Sequence, residues 1–279
     1  MRVGRIPYIN CYPVYGAIDR GVVPLPDATL VDGVPTALNR RMAEGTLDVS
    51  VVSAVEYALD ARRFLLLPDL AISCDGPVRS VMLFSRRPAH ELGARRVLVS
   101  RSSMTSVALL ELLFENVWRC APRFAPANAE LADVARFGDV EHDARLVIGD
   151  AALLLGARAV AGAPEYPYVY DLGEEWKRWT GLPFVFAVWI AQRATPVAAA
   201  LRVHAALVES RDWGLAHRGE LAAQAAAATG VSHAVADEYL SGLDYGLSFA
   251  HLAGLTEFFR RLVAAGRVPN GTLAFLPAA

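Results

Sequence analysis

The sequence predicts an α/β fold arranged as two lobes, and three observations carry that prediction. Short apolar runs recur along the first two thirds of the chain, and most give way to a segment with helical spacing, the alternation expected of sheets whose strands are joined through helices. Polar residues cluster where strand meets helix, at Asn10, Ser53, Thr105 and Asp150. Two features mark places for the chain to cross between lobes: the pattern break Arg86-Arg87-Pro88 and the uninterrupted apolar strand from Phe184 to Ile190. At 279 residues, 54% of them hydrophobic, the chain is long and apolar enough for two modest domains. They are expected over residues 1–85 with 190–279, and over 86–189.

The opening stretch organises the first lobe. Val3 and Ile6 read as a buried strand that must stop, or lie at an edge, at Pro7, which has no N–H for a ladder. Tyr8 and Asn10 follow, before Pro13 and a helix. Ligands in open α/β sheets bind beyond the carboxyl ends of strands, and Asn10 offers two donors and an acceptor without charge. On local pattern alone, a plain turn is the simpler account of an asparagine near a proline. Leu30-Val31 is a short strand, and Pro35 opens a helix that Gly45 ends. Leu47 to Val52 is the next strand, with Ser53 placed to cap the helix after it. Leu65 to Pro68 is a further apolar piece. Asp75-Gly76-Pro77 is a turn, and Val78 to Ser85 is a strand with Arg79 and Ser80 at its start. Arg79 suits either a carboxylate fork or a structural ion pair.

The middle segment repeats the theme. Strand Val97–Val99 runs into the hydroxyl-rich Ser100-Arg101-Ser102-Ser103-Met104-Thr105-Ser106 and a helix from Val107 to Trp118. Free N–H groups at such a helix start favour an anion, although hydroxyls there also serve as caps. Leu146 to Ile148 ends in Gly149-Asp150 before another helix. Glycine at that point permits close approach to the backbone, and Asp150 suits either a substrate hydroxyl or a cap. Tyr166 to Gly173 leads into Glu174–Trp179, whose aromatic and charged residues suit an amphipathic helix. The tail is helical over Thr195–Gly214, Glu220–Ala228, His233–Gly242 and Phe249–Ala265, with a last strand expected over Thr272–Leu276.

Composition excludes several function classes. The net charge of −2 leaves no electrostatic footprint for nucleic acid. The one lysine, Lys177, is the sole candidate for Schiff-base chemistry. Cys11, Cys74 and Cys120 are odd in number and far apart, which argues for a reducing compartment and against a disulfide framework or zinc site. No leader pattern opens the chain and no apolar run reaches membrane-spanning length, so a cytoplasmic protein with no membrane partner is expected. Dinucleotide, Walker, nucleophile-elbow and His-x-x-x-His patterns are absent, and no cofactor or metal is expected. What remains is uncharged donors at helix starts in both lobes. A cleft lined by them would suit a small polyanionic organic acid, as substrate or as bound solute.

Five markers in order carry a family resemblance: Arg5-Ile6-Pro7-Tyr8-Ile9-Asn10-Cys11-Tyr12-Pro13-Val14, Asp75-Gly76-Pro77-Val78-Arg79-Ser80-Val81, Thr105-Ser106-Val107-Ala108-Leu109-Leu110, Ile148-Gly149-Asp150-Ala151-Ala152-Leu153 and Asp171-Leu172-Gly173-Glu174-Glu175-Trp176. Through them the chain resembles the chorismate dehydratases of the futalosine route to menaquinone, relatives of the 1,4-dihydroxy-6-naphthoate synthases. The resemblance implies a type II periplasmic-binding-protein-like fold, two α/β domains around a cleft joined by two strand crossings. It implies a hydro-lyase that converts the dicarboxylate chorismate to 3-[(1-carboxyvinyl)oxy]benzoate and water. In a mechanism proposed for the family, the substrate's own enolpyruvyl carboxylate is the base. Asn10 matches the family's catalytic asparagine, with orientation of that carboxylate as its expected role. Substrate-binding roles are expected for Tyr8, Ser53, Ser80, Thr105, Ser106, Gly149 and Asp150. The sister synthase fits the motifs less well, and a solute receptor of the same fold is the non-enzymatic alternative. Two positions depart from the family pattern: Ser53-Ala54 stands where Ser-Ser is common, which weakens Ser53, and Cys74 stands where serine precedes Asp-Gly-Pro.

Overall fold

A computed structural model describes residues 1–25, 27–160 and 165–277. The strands are β1 (Arg2–Arg5), β2 (Thr29–Asp32), β3 (Val49–Ser53), β4 (Phe64–Cys74), β5 (Val81–Ser85), β6 (Arg96–Ser100), β7 (Arg123–Ala127), β8 (Ala144–Ile148), β9 (Tyr168–Asp171) and β10 (Phe184–Gln192). The helices are α1 (Tyr12–Asp19), α2 (Pro35–Ala43), α3 (Ala54–Leu59), α4 (Met104–Leu113), α5 (Gly149–Val160), α6 (Leu172–Thr180), α7 (Val197–Ala216), α8 (Arg218–Thr229), α9 (His233–Ser241) and α10 (Phe249–Ala264).

Two compact units emerge. The first comprises Met1–Ser73, Val185–Leu221 and Leu243–Ala279, the second Cys74–Phe184 and Ala222–Gly242. Each holds one five-stranded sheet: β2-β1-β3-β10-β4 in the first, β7-β6-β8-β5-β9 in the second. The first sheet is parallel across β2, β1 and β3, with β10 antiparallel to β3. In the second, β7, β6 and β8 run parallel and β5 is antiparallel to both β8 and β9. The inner strands β3 and β8 are buried at every position, as strands covered on both faces must be.

Three sequence expectations shift. The boundary drawn after residue 85 falls at Cys74, because β5 takes both its partners, β8 and β9, from the second sheet. Nor does the tail stay whole: 222–242, with α9, packs in the second unit, anchored by the Arg79–Glu238 ion pair at 2.6 Å. The expected strand over Thr272–Leu276 reduces to one bridge, Leu66 to Phe275. By contrast β4 is far longer than the apolar piece that announced it. It tolerates Pro68 because it lies at the sheet's edge, where a missing N–H costs no ladder bond.

Candidate functional site

In the first unit, parallel β1 and β3 end at one edge of the sheet, in the register Val3 to Val49 and Gly4 to Ser50. A side chain at Gly4 would collide with Ser50 Oγ, so glycine is what lets these strands lie side by side. Beyond β1 the chain makes one 3₁₀ turn, Ile9–Cys11, closed by Cys11 N–H donating to the Tyr8 carbonyl at 3.0 Å. Ile9 and Cys11 are fully buried and Tyr8 nearly so; they fasten the turn and leave Asn10 between them. Helix α1 is fixed in turn by Tyr15, whose hydroxyl donates to the Gly4 carbonyl and accepts from Trp189 Nε1, both at 3.0 Å. Asn10 Oδ1 is buried and has no hydrogen-bond partner among the described residues. Unpaired buried acceptors are uncommon in native structures and call for an explanation.

Ser53 ends β3 at the same edge, and its backbone N–H donates to the Asn39 side chain at 3.1 Å. Its hydroxyl makes no capping bond to α3, although Ser53-Ala54-Val55-Glu56 spells a capping box. The expected cap is therefore not formed. Glu56 is itself buried, and that burial pushes its carboxyl above the ordinary glutamate value.

The second unit gathers five of the remaining predicted residues at one sheet edge. Parallel β6 and β8 end there, passing into α4 with Thr105 and Ser106 and into α5 with Gly149 and Asp150. Antiparallel β5 starts there, its Val81 opposite Ile148, which puts Ser80 beside Gly149. Gly149 N–H donates to the Ser80 carbonyl at 2.7 Å, from a left-handed backbone with φ of 62°. Ser80, Thr105 and Ser106 are each at most 3% exposed, so their hydroxyls belong to the packed edge rather than to open solvent. Ser103 is the N-cap of α4: its Oγ accepts from Ser106 N–H at 3.2 Å and donates to Ser106 Oγ at 2.8 Å. Part of the hydroxyl cluster is thus capping, while Thr105 sits one step inside the helix.

Asp171 is what the sequence reading missed. It ends β9 and caps α6. Its Oδ1 accepts from Val78, Gly173 and Glu174 N–H groups at 3.0, 2.9 and 3.2 Å, and its Oδ2 from Arg79 N–H at 2.6 Å. Two of the sequence markers are therefore one structural knot. Gly173 is required at its centre, since a Cβ there would sit 2.6 Å from the Gly76 carbonyl and 2.7 Å from Cys74 Sγ. The Lys177–Asp75 ion pair at 2.5 Å closes its outer side, and Arg79 proves to be a structural partner of Glu238. The available signal was an aspartate immediately before Leu-Gly-Glu-Glu, a helix-start spelling. Asn39 was missed too, a fully buried amide between Leu38 and Met42.

Among the described residues no cluster of three or more His, Cys, Asp or Glu side chains is placed to hold a metal. No helix among them is long and apolar enough to cross a membrane.

Comparison with known proteins adds four findings. Residues 1–264 match the family model described as menaquinone biosynthesis. A protein of Thermus thermophilus named chorismate dehydratase is 33% identical over 272 residues, covering 92% of this chain and 95% of that protein. Among solved structures, a protein from Archaeoglobus fulgidus superposes with a TM-score of 0.78 at 20% identity, covering 96% of this chain and 98% of that one. The periplasmic aliphatic sulphonate binding protein of Escherichia coli superposes with a TM-score of 0.66 at 14% identity, covering all of this chain and 94% of that one. The fold is periplasmic-binding-protein-like.

Proposed function

This chain belongs to the menaquinone-biosynthesis family, and from that premise we propose that it is a chorismate dehydratase, a hydro-lyase that makes 3-[(1-carboxyvinyl)oxy]benzoate and water. The observation that carries the reading is the end-to-end likeness to the Thermus enzyme of that name. The chemistry of the two sheet edges supports it.

Elimination removes the proton at C3 and the hydroxyl at C4 of chorismate, leaving an aromatic ring. The C3 hydrogen is vinylogous to the ring carboxylate, so its loss drives charge toward that group, where fixed donors stabilise it as it develops. Ser80, Thr105 and Ser106 are assigned to carboxylate binding, with Asp150 and its neighbour Gly149 toward the hydroxyl or ring edge. The base is the substrate's own enolpyruvyl carboxylate, folded against C3, so the protein contributes position rather than a titrating side chain. Asn10 holds that carboxylate through its amide N–H. Its buried, unpartnered Oδ1 suits the C4 hydroxyl, the one O–H donor on dianionic chorismate. Tyr8 and Ser53 flank it at the same edge. With Cys11, Cys74 and Cys120 all free thiols, a reducing compartment, the cytoplasm, is the proposed location.

The test is incubation of the purified protein with chorismate, followed by ultraviolet absorbance and mass spectrometry. Growth of an aromatic product lighter than chorismate by one water supports the reading. Saturable binding with no product overturns it in favour of a solute receptor.

A further inference from the structure

We propose that Asp171 is a positioning residue for the substrate-binding edge of the second unit: through one carboxylate it fixes the backbone conformation of Val78-Arg79-Ser80, and with it the Ser80–Gly149 contact. The proposal rests on the assignment of Ser80 and Gly149 to substrate binding.

The two oxygens of Asp171 divide the work. Oδ1 caps α6 through Gly173 and Glu174 and also takes the Val78 N–H, while Oδ2 takes only the Arg79 N–H at 2.6 Å. Arg79 has φ of 62°, a left-handed backbone that non-glycine residues adopt only when their surroundings hold them there. Its side chain is tied outward to Glu238, and its N–H is tied inward to Asp171. The next residue is Ser80, whose carbonyl receives the Gly149 N–H at 2.7 Å. A continuous series of short bonds thus runs from the start of α6, through a strained residue, to the start of α5. A helix cap needs only Oδ1; the Oδ2 bond to the strained residue is what a cap does not explain.

That division makes a selective variant available. In Asp171→Asn, keeping the amide oxygen toward Val78, Gly173 and Glu174 puts an NH2 donor against the Arg79 N–H. The opposite orientation sets that donor against three N–H groups and is worse. The variant therefore keeps the cap and releases Arg79-Ser80. Asp171→Ser is the second variant, with an N-cap oxygen on a side chain too short to serve both segments.

The experiment measures KM and kcat for chorismate, thermal unfolding, and amide exchange over 76–80 in both variants. The expected result is a folded protein with KM raised roughly tenfold or more, the scale of one lost buried charged hydrogen bond. The kcat stays within about threefold of the parent, and exchange is accelerated at Arg79 and Ser80. A purely structural role lowers the folded fraction, and so the apparent kcat, without moving KM; that pattern overturns the proposal. Failure of both variants to fold overturns it equally, by assigning Asp171 to folding. If the parent protein itself does not turn over chorismate, the functional reading fails on its own. The exchange data then still decide the tether: unchanged exchange at Arg79 and Ser80 sinks it.

Discussion

The carboxyl edges of the two sheets are spelled alike, with short polar residues where strand gives way to helix, yet they are held differently. In the second unit several of the edge's polar groups are tied to one another. Ser103 caps α4, the Gly149 N–H meets the Ser80 carbonyl, and Asp171 gathers four backbone N–H groups. In the first unit Asn10 Oδ1 is buried without a partner among the described residues and the Ser53 hydroxyl leaves α3 uncapped. A committed edge is suited to receiving charge in one fixed geometry, since its donors need no reorganisation. An uncommitted amide is suited to changing partners as bonds are made and broken. Under the proposed function, binding falls to the second edge and chemistry to the first, a division that experiment can break.

The largest expected effect is at Asn10. Asn10→Ala should lower kcat for chorismate by about 10²-fold or more, the scale on which misplacing a reacting group costs rate. Its unfolding free energy should stay within about 0.5 kcal/mol of the parent, because the variant removes an acceptor that bonds nothing. Steady-state kinetics and denaturant titration check both halves. A large loss of stability would put Asn10 with the committed groups and erase the contrast.

Gly173→Ala probes the opposite edge. The new methyl would meet the Gly76 carbonyl and Cys74 Sγ at 2.6 and 2.7 Å. Backbone cannot swing aside as a flexible side chain can, so destabilisation of about 1–3 kcal/mol is expected. Denaturant midpoints report it, and a neutral result would show that the knot at Asp171 is loose.

The strand-to-helix alternation was readable because its signals are local: apolar runs, Pro35, Gly45, Gly149 and the Ser103 cap all lie within a few residues of what they specify. The sequence reading therefore named Asn10, Ser80, Thr105, Ser106 and Gly149 at strand or helix ends before any topology was known. What escaped it depends on distant partners. Whether Val81–Ser85 joins one sheet or the other is decided by β8 and β9, some sixty to ninety residues away. That Ser53 does not cap α3 is not written in Ser53-Ala54-Val55-Glu56, and its N–H finds Asn39 across the sheet edge. Strand β7 and the 3₁₀ segment Leu131–Asp139 went unread.

A pH-dependent difference separates the units further. His142 is buried in the second, with Nδ1 2.6 Å from the Val140 carbonyl and Nε2 2.6 Å from the Tyr166 hydroxyl. The neutral ring satisfies both by donating from Nδ1 and accepting at Nε2. Burial lowers its pKa, with Arg86 and Arg145 opposing a further positive charge. Tyr166 is pushed up to about 12 by burial and keeps its proton to donate. A histidine whose pKa is lower folded than unfolded binds fewer protons in the folded state. Stability is then complete above its ordinary value of about 6.5 and declines as pH falls below it. Chemical denaturation from pH 7.5 to 5 should show that decline, and His142→Gln should flatten it. An unchanged slope would remove His142 as its source.

The smallest effect is the sharpest test of the contrast, because it compares two serines in matching positions. Ser103 and Ser53 each stand immediately before the helix that leaves a sheet edge, but only Ser103 receives the N–H of the residue three places on. Ser103→Ala should therefore cost about 1 kcal/mol, the usual worth of an N-cap. Ser53→Ala should change stability by no more than about 0.5 kcal/mol, since the bond that anchors this residue is made by its backbone N–H to Asn39 and survives the substitution. If Ser53 serves the substrate, the same variant raises KM for chorismate while the unfolding curve stays in place. Equal stability losses for the two serines would mean that both edges are capped alike, and the division between a committed and an uncommitted edge would then rest on Asn10 alone.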